Sequence, residues 1–83
     1  PNPFRAATSI RFSMPQPGVA TLSIHDVTGR RVRSLLDGAV APGYRSLLWD
    51  GRDDAGHALA SGVYFYRLRT PAESRTGRVQ LVR

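Results

Sequence analysis

The chain has 83 residues, room for one small domain with a thin core, since a chain of this size buries only about 60–65% of its unfolded surface. Hydrophobic residues make up 41% and charged residues 22%, ordinary globular usage, and the absence of cysteine excludes a disulfide framework, a thiolate metal site and a cysteine nucleophile. Twelve basic residues, all arginine, stand against six acidic ones for a net charge of +6, which favours acidic partners or, more simply, keeps a strand surface soluble.

Short alternating runs separated by turn residues fill the chain, and no stretch fits a helical period. The first run, Thr8 to Met14, places Ile10, Phe12 and Met14 on one face. Pro15-Gln16-Pro17-Gly18 interrupts it, because proline donates no ladder hydrogen bond. Val19 to Asp26 follows with Ala20, Leu22 and Ile24 inward and Thr21, Ser23 and His25 outward, and Asp26-Val27-Thr28-Gly29 reads as a hairpin turn. The third strand, Arg30 to Leu36, keeps Val32 inward and loses strict alternation at Leu35-Leu36, which predicts a bulge or a strand end. Asp37-Gly38 and Pro42-Gly43 are expected to bracket a surface loop. Tyr44 to Trp49 resumes the pattern, with Leu47 and Trp49 on the core side and Arg45 at its rim. Asp50 to Gly56 is polar and reads as a long turn. In Gly62 to Arg69, Tyr64, Tyr66 and Leu68 point in while Val63, Phe65, Arg67 and Arg69 point out. After a loop at Pro71 the last strand runs from Ser74 to Arg83 with Val79 and Leu81 inward.

Six or seven strands with this spacing define an all-β domain. Tyr64 lies after a turn and two residues before a core position, the spacing of the tyrosine corner in immunoglobulin-like domains, and Trp49 supplies a large buried aromatic. The fold expected is an Ig-like antiparallel β-sandwich of about seven strands over residues 1–83. Its structural core is Leu22, Ile24, Trp49, Tyr64, Tyr66 and Leu81.

Asn2-Pro3-Phe4, Ser13-Met14-Pro15-Gln16-Pro17-Gly18, the run Leu22 to Val32, the Trp49-Asp50-Gly51-Arg52-Asp53 turn, Ser61-Gly62-Val63-Tyr64-Phe65-Tyr66-Arg67-Leu68 and a basic-apolar final strand occur in one order. Together they resemble the FlgD-type Ig-like domain of flagellar hook-capping proteins and the similar type A C-terminal sorting domain of type IX secretion cargo. The resemblance implies a non-catalytic module at the end of a larger secreted or surface protein, read by an outer-membrane translocon, with the recognition regions falling on Pro15 to Val32, Gly62 to Leu68 and Arg78 to Arg83. His25 stands where the family usually has tyrosine, and the last strand carries arginine in place of lysine. Hook-type assembly and a plain spacer are the alternative roles. The start at Pro1, without initiator methionine or a signal-like segment, fits a piece of a longer protein.

Asp50, Asp53 and Asp54 offer clustered carboxylates to calcium, but the alternate-position ligands of a calcium loop are missing, and capping of their own turn is the plainer use. His25 on an outward strand position and His57 in a loop have no nucleophile motif beside them, so neither catalysis nor a cofactor is expected. Nucleic-acid binding requires arginines gathered along one groove with free aromatics. Here the arginines are spread along the chain, and Phe12, Trp49, Tyr64 and Tyr66 point inward.

The final hairpin is the more informative surface. Antiparallel pairing of its two strands puts Val63, Phe65, Arg67 and Arg69 on one face with Arg78, Gln80 and Val82. An apolar strip with a basic rim suits a protein partner, whether translocon component or neighbouring domain.

Overall fold

The computed structural model describes residues 8–82. Alternating sequences become strands: β1 (Thr8–Met14), β2 (Gly18–His25), β3 (Arg31–Val40), β4 (Gly43–Trp49), β5 (Gly62–Arg69) and β6 (Ser74–Leu81). They form two antiparallel sheets, β1-β4 and β3-β2-β5-β6. The described residues contain no helix, and six strands stand close to the seven expected.

Because side chains alternate across a strand, each sheet turns one apolar face inward. Ile10, Phe12 and Met14 of β1 and Trp49 of β4 meet Ala20, Leu22 and Ile24 of β2, Val32 of β3, Tyr64 and Leu68 of β5, and Val79 and Leu81 of β6. Trp49, Leu22, Ile24, Leu68 and Leu81 are the largest fully enclosed side chains. Burying each stabilises the domain by about 1.5–3 kcal/mol relative to exposure. Tyr66 is only half-buried, packed against the edge of this cluster where the sheets splay apart. There Arg75, inward on β6, donates from Nη2 to the Arg11 carbonyl of β1 at 2.6 Å and ties one sheet to the other.

β3 departs from the expected outline. It does not give way to a loop at Asp37-Gly38; those residues pair with Thr21 and Ala20, and the strand continues to Val40. Only Ala41 and Pro42 separate it from β4. A glycine on an edge strand costs little packing, and the first half of β2 needs a partner for its backbone groups. Alternation fails because two residues, Val32 and Leu35, are extra relative to β2, at register shifts beside Ile24/His25 and Leu22/Ser23. The last strand ends at Leu81; Arg83 and Asn2-Pro3-Phe4 lie outside the described residues.

Candidate functional site

The segment between β4 and β5 fixes one end of the sandwich. Asp50 Oδ1 accepts from the Arg52 N–H at 3.1 Å and from Arg33 Nη1 at 3.0 Å. The Arg52 carbonyl accepts from the Trp49 indole at 3.0 Å and from Arg33 Nη1 at 3.1 Å. The most deeply enclosed aromatic is therefore held by the same backbone carbonyl that anchors an arginine from β3. Trp49 also meets Tyr64 edge-on, centroids 5.4 Å apart at 71°, and the Tyr64 hydroxyl donates to the Ala60 carbonyl at 2.7 Å, the bond a tyrosine corner makes.

The aspartates of this segment serve backbone. Asp53 Oδ1 accepts from the N–H groups of Ala55 and His57, at 3.0 and 2.9 Å. Asp54 does not cap its own turn: its Oδ1 accepts from the Ser34 N–H, and its own N–H donates to the Val32 carbonyl, both at 2.9 Å. The loop thus covers part of the free edge of β3, where exposed ladder groups would otherwise invite another strand. The His57 N–H is the leading cause holding Asp53 below the ordinary aspartate range. For Asp50, burial acts to raise the value, but the Arg52 N–H and the Arg33 guanidinium outweigh it and the net direction is down. The Thr28 hydroxyl is the leading cause lowering Asp26 in the β2–β3 turn. In that turn Gly29 takes φ 89°, a conformation glycine adopts without strain. Among the described residues no group of three or more metal-ligating side chains comes together, and no helix is long and apolar enough to cross a membrane.

The outer face of the four-stranded sheet carries the residues singled out on the final hairpin. Val63 lies opposite Gln80, Phe65 opposite Arg78, Arg67 opposite Thr76 and Arg69 opposite Ser74. Phe65 is 39% exposed. Arg67, Arg69, Arg78 and Gln80 are exposed, while Val63 and Val82 are half-buried, Val82 just past the end of β6. The apolar strip is therefore shorter than the sequence implies and centres on Phe65.

What the sequence does not disclose is that β2 flanks β5 on the other side, so that His25 faces Phe65, Ser23 faces Arg67 and Thr21 faces Arg69. His25 is no freely solvated side chain: its Nε2 lies 2.9 Å from Ser23 Oγ and its Nδ1 3.2 Å from the Gly29 carbonyl. Beyond β2, Arg31 lies opposite His25 and Ser34 opposite Ser23. Outward Thr21, Ser23 and His25 were readable from alternation; that they join the face of Arg67 depends on which strands are neighbours.

Two small antiparallel sheets closed over a Trp–Tyr pair, with a tyrosine corner and one basic-apolar outer face, define an Ig-like β-sandwich. The family model of the FlgD Ig-like domain matches residues 4–74, and the chain belongs to that family. No curated protein matches at a significant level. Among solved structures, the crystal structure of dimeric latent PorU from Porphyromonas gingivalis contains a similar fold, with a TM-score of 0.77 and 24% identity. That alignment covers 99% of this chain and 9% of the PorU chain.

Proposed function

We propose that residues 1–83 form a non-catalytic module of a larger bacterial protein, directing it to the cell surface or exterior through type IX-like secretion. Recognition falls on the folded outer face of the β5–β6 hairpin, with Val63, Phe65, Arg67, Arg69, Arg78, Gln80 and Val82 as its contact residues. The observation that carries this reading is Phe65, a large aromatic 39% exposed on a face otherwise rimmed by arginine and hydroxyl side chains. Such a residue offers a docking anchor within a basic surround that steers an acidic partner. Recurrence of the fold as a 9% portion of the PorU chain supports a module carried by a bigger protein. Resemblance to type IX sorting domains supplies the route.

The test is a fusion of the chain to the C-terminus of a periplasmic reporter in a bacterium with type IX machinery. The reporter is expected on the surface, and Phe65→Ser is expected to reduce that signal while the domain still melts cooperatively, at a cost of about 1 kcal/mol. Retention of the wild-type fusion in the periplasm overturns the sorting role and turns attention to hook-type assembly. Undiminished surface display by Phe65→Ser removes Phe65 from the interface.

A further inference from the structure

Most arginines whose side chains are tied down here serve the fold. Arg30 pairs with Asp26, Arg33 with Asp50, and Arg75 with Glu73 and the Arg11 carbonyl. Arg45 and Arg52 donate to the carbonyls of Ala41 and Gly56. Arg31, Arg67 and Arg69 make no ion pair or side-chain hydrogen bond among the described residues, and all three line one concavity of about 270 Å³ on the outer face of the four-stranded sheet. Thr21, Ser23, His25 and Ser34 also line it, and Asp37 is its single carboxylate. With histidine neutral, three guanidinium charges against one carboxylate leave the concavity at a net +2.

We infer that this concavity is a carboxylate-binding subsite for an extended acidic segment of a protein partner. Three features favour that occupant. Arg67 and Arg69 stand on one face of one strand, about 6.6 Å apart, the repeat of side chains at alternate positions of an extended peptide. Arg31 lies two strands across and one side-chain repeat along from Arg67, in line with Phe65 and about 12 Å from Arg67 between backbones, within reach of two long side chains converging on one group. The guanidinium fork is matched to a carboxylate, and hydroxyls between the arginines supply further donors.

Phe65 continues the column of Arg67 and Arg69 along β5, so one extended segment would set its acids on the arginines and an apolar residue on the ring. A nucleic acid would need several stacking rings, whereas among the described residues this face exposes one aromatic, Phe65. Binding here is by side chains alone, because β2 and β5 both have strand partners on either side and offer no free ladder.

The partner class deepens the sorting reading and rests on it, but the site is testable alone. The probe is a fluorescently labelled peptide with Glu at alternate positions beside a Phe, titrated by anisotropy and mapped by amide chemical shifts. It is compared with its Glu→Gln counterpart and with a single-stranded oligonucleotide of equal charge. The Glu peptide is expected to bind best, with shifts centred on Ser23, Arg31, Arg67 and Arg69, and to weaken as salt rises. Arg67→Gln and Arg69→Gln should each weaken it about three- to tenfold, while Arg45→Gln on the other sheet leaves it unchanged. Equal binding of the Gln peptide, tighter binding of the oligonucleotide, or equal effects of Arg67→Gln and Arg45→Gln overturns the inference. In the reporter fusion, display unaffected by Arg67→Gln/Arg69→Gln sinks the subsite and leaves sorting standing. Peptide binding through these arginines with no display of the wild-type fusion does the reverse.

Discussion

Tyr64 and Tyr66 point to the same side of β5, yet their hydroxyls have different duties, and Tyr→Phe at each isolates one oxygen atom. The Tyr64 hydroxyl donates to the Ala60 carbonyl at 2.7 Å and holds the loop to the start of β5. Tyr66 lies against the edge of the core, and its ring covers Gly77 of β6. Deleting the Tyr64 hydroxyl forfeits about 0.5–1.5 kcal/mol for the bond itself. Ala60 is at the surface, so water can reach its carbonyl and limit the added penalty. A loss of about 1–1.5 kcal/mol follows. Unfolding entropy near 2.1 cal/mol/K per residue gives about 0.17 kcal/mol/K for a domain of this length, so Tyr64→Phe lowers Tm by about 6–9 °C. Tyr66→Phe, by contrast, should stay within about 0.5 kcal/mol of wild type. Both are measured by thermal and urea melts followed by circular dichroism. An equal or larger loss at Tyr66, or none at Tyr64, would refute the corner as the element joining loop to sheet.

Gly77→Ala would set a methyl against Cε2, Cζ and the hydroxyl oxygen of Tyr66; about 1–3 kcal/mol of destabilisation is expected. Combining it with Tyr66→Leu should recover part of that loss, and strictly additive losses in urea melts would contradict the close approach. Asp50→Ala removes the shared acceptor of Arg33 and the Arg52 N–H and should cost about 1 kcal/mol, the pair being partly exposed. The same change in an Arg33→Met background should cost less. Asp26, Asp50 and Asp53 are held below the ordinary aspartate range. A carboxylate lowered by folding contributes stability that is complete above the unfolded value and disappears as pH falls through the folded one. Tm should therefore hold steady down to about pH 5 and fall below about pH 4, with a shallower fall in Asp53→Asn; a midpoint that climbs on acidification would contradict the assignment.

Much of the fold was legible because one face of each strand is buried and side chains alternate. Ile10, Phe12 and Met14, then Ala20, Leu22 and Ile24, keep a strict period of two, and burial follows it residue by residue. β3 was less legible for a local reason. Val32 and Leu35 are extra residues that break the period, and Asp37-Gly38 has turn composition while its backbone pairs with β2. The β5–β6 half of the candidate face could be read from a hairpin closed by four residues, Thr70 to Glu73. The β2–β3 half could not, since no local signal says which strand will lie beside β5. The arginines look evenly scattered in the chain for the same reason: only the sheet order brings Arg31 to Arg67. Asp54 obeys this logic too, bonding a strand twenty residues away in place of its own turn.

The two-residue link of Ala41 and Pro42 carries the chain directly from one layer to the other. So short a tether keeps the two layers side by side, facing each other across the one apolar cluster they share. Arg31 precedes the link while Arg67 and Arg69 follow it on β5, so the basic concavity appears only once the chain has crossed to the two-stranded layer and returned to pair beside β2. A receptor feeling for that concavity would be inspecting the finished article, and a half-assembled chain would offer it nothing to hold.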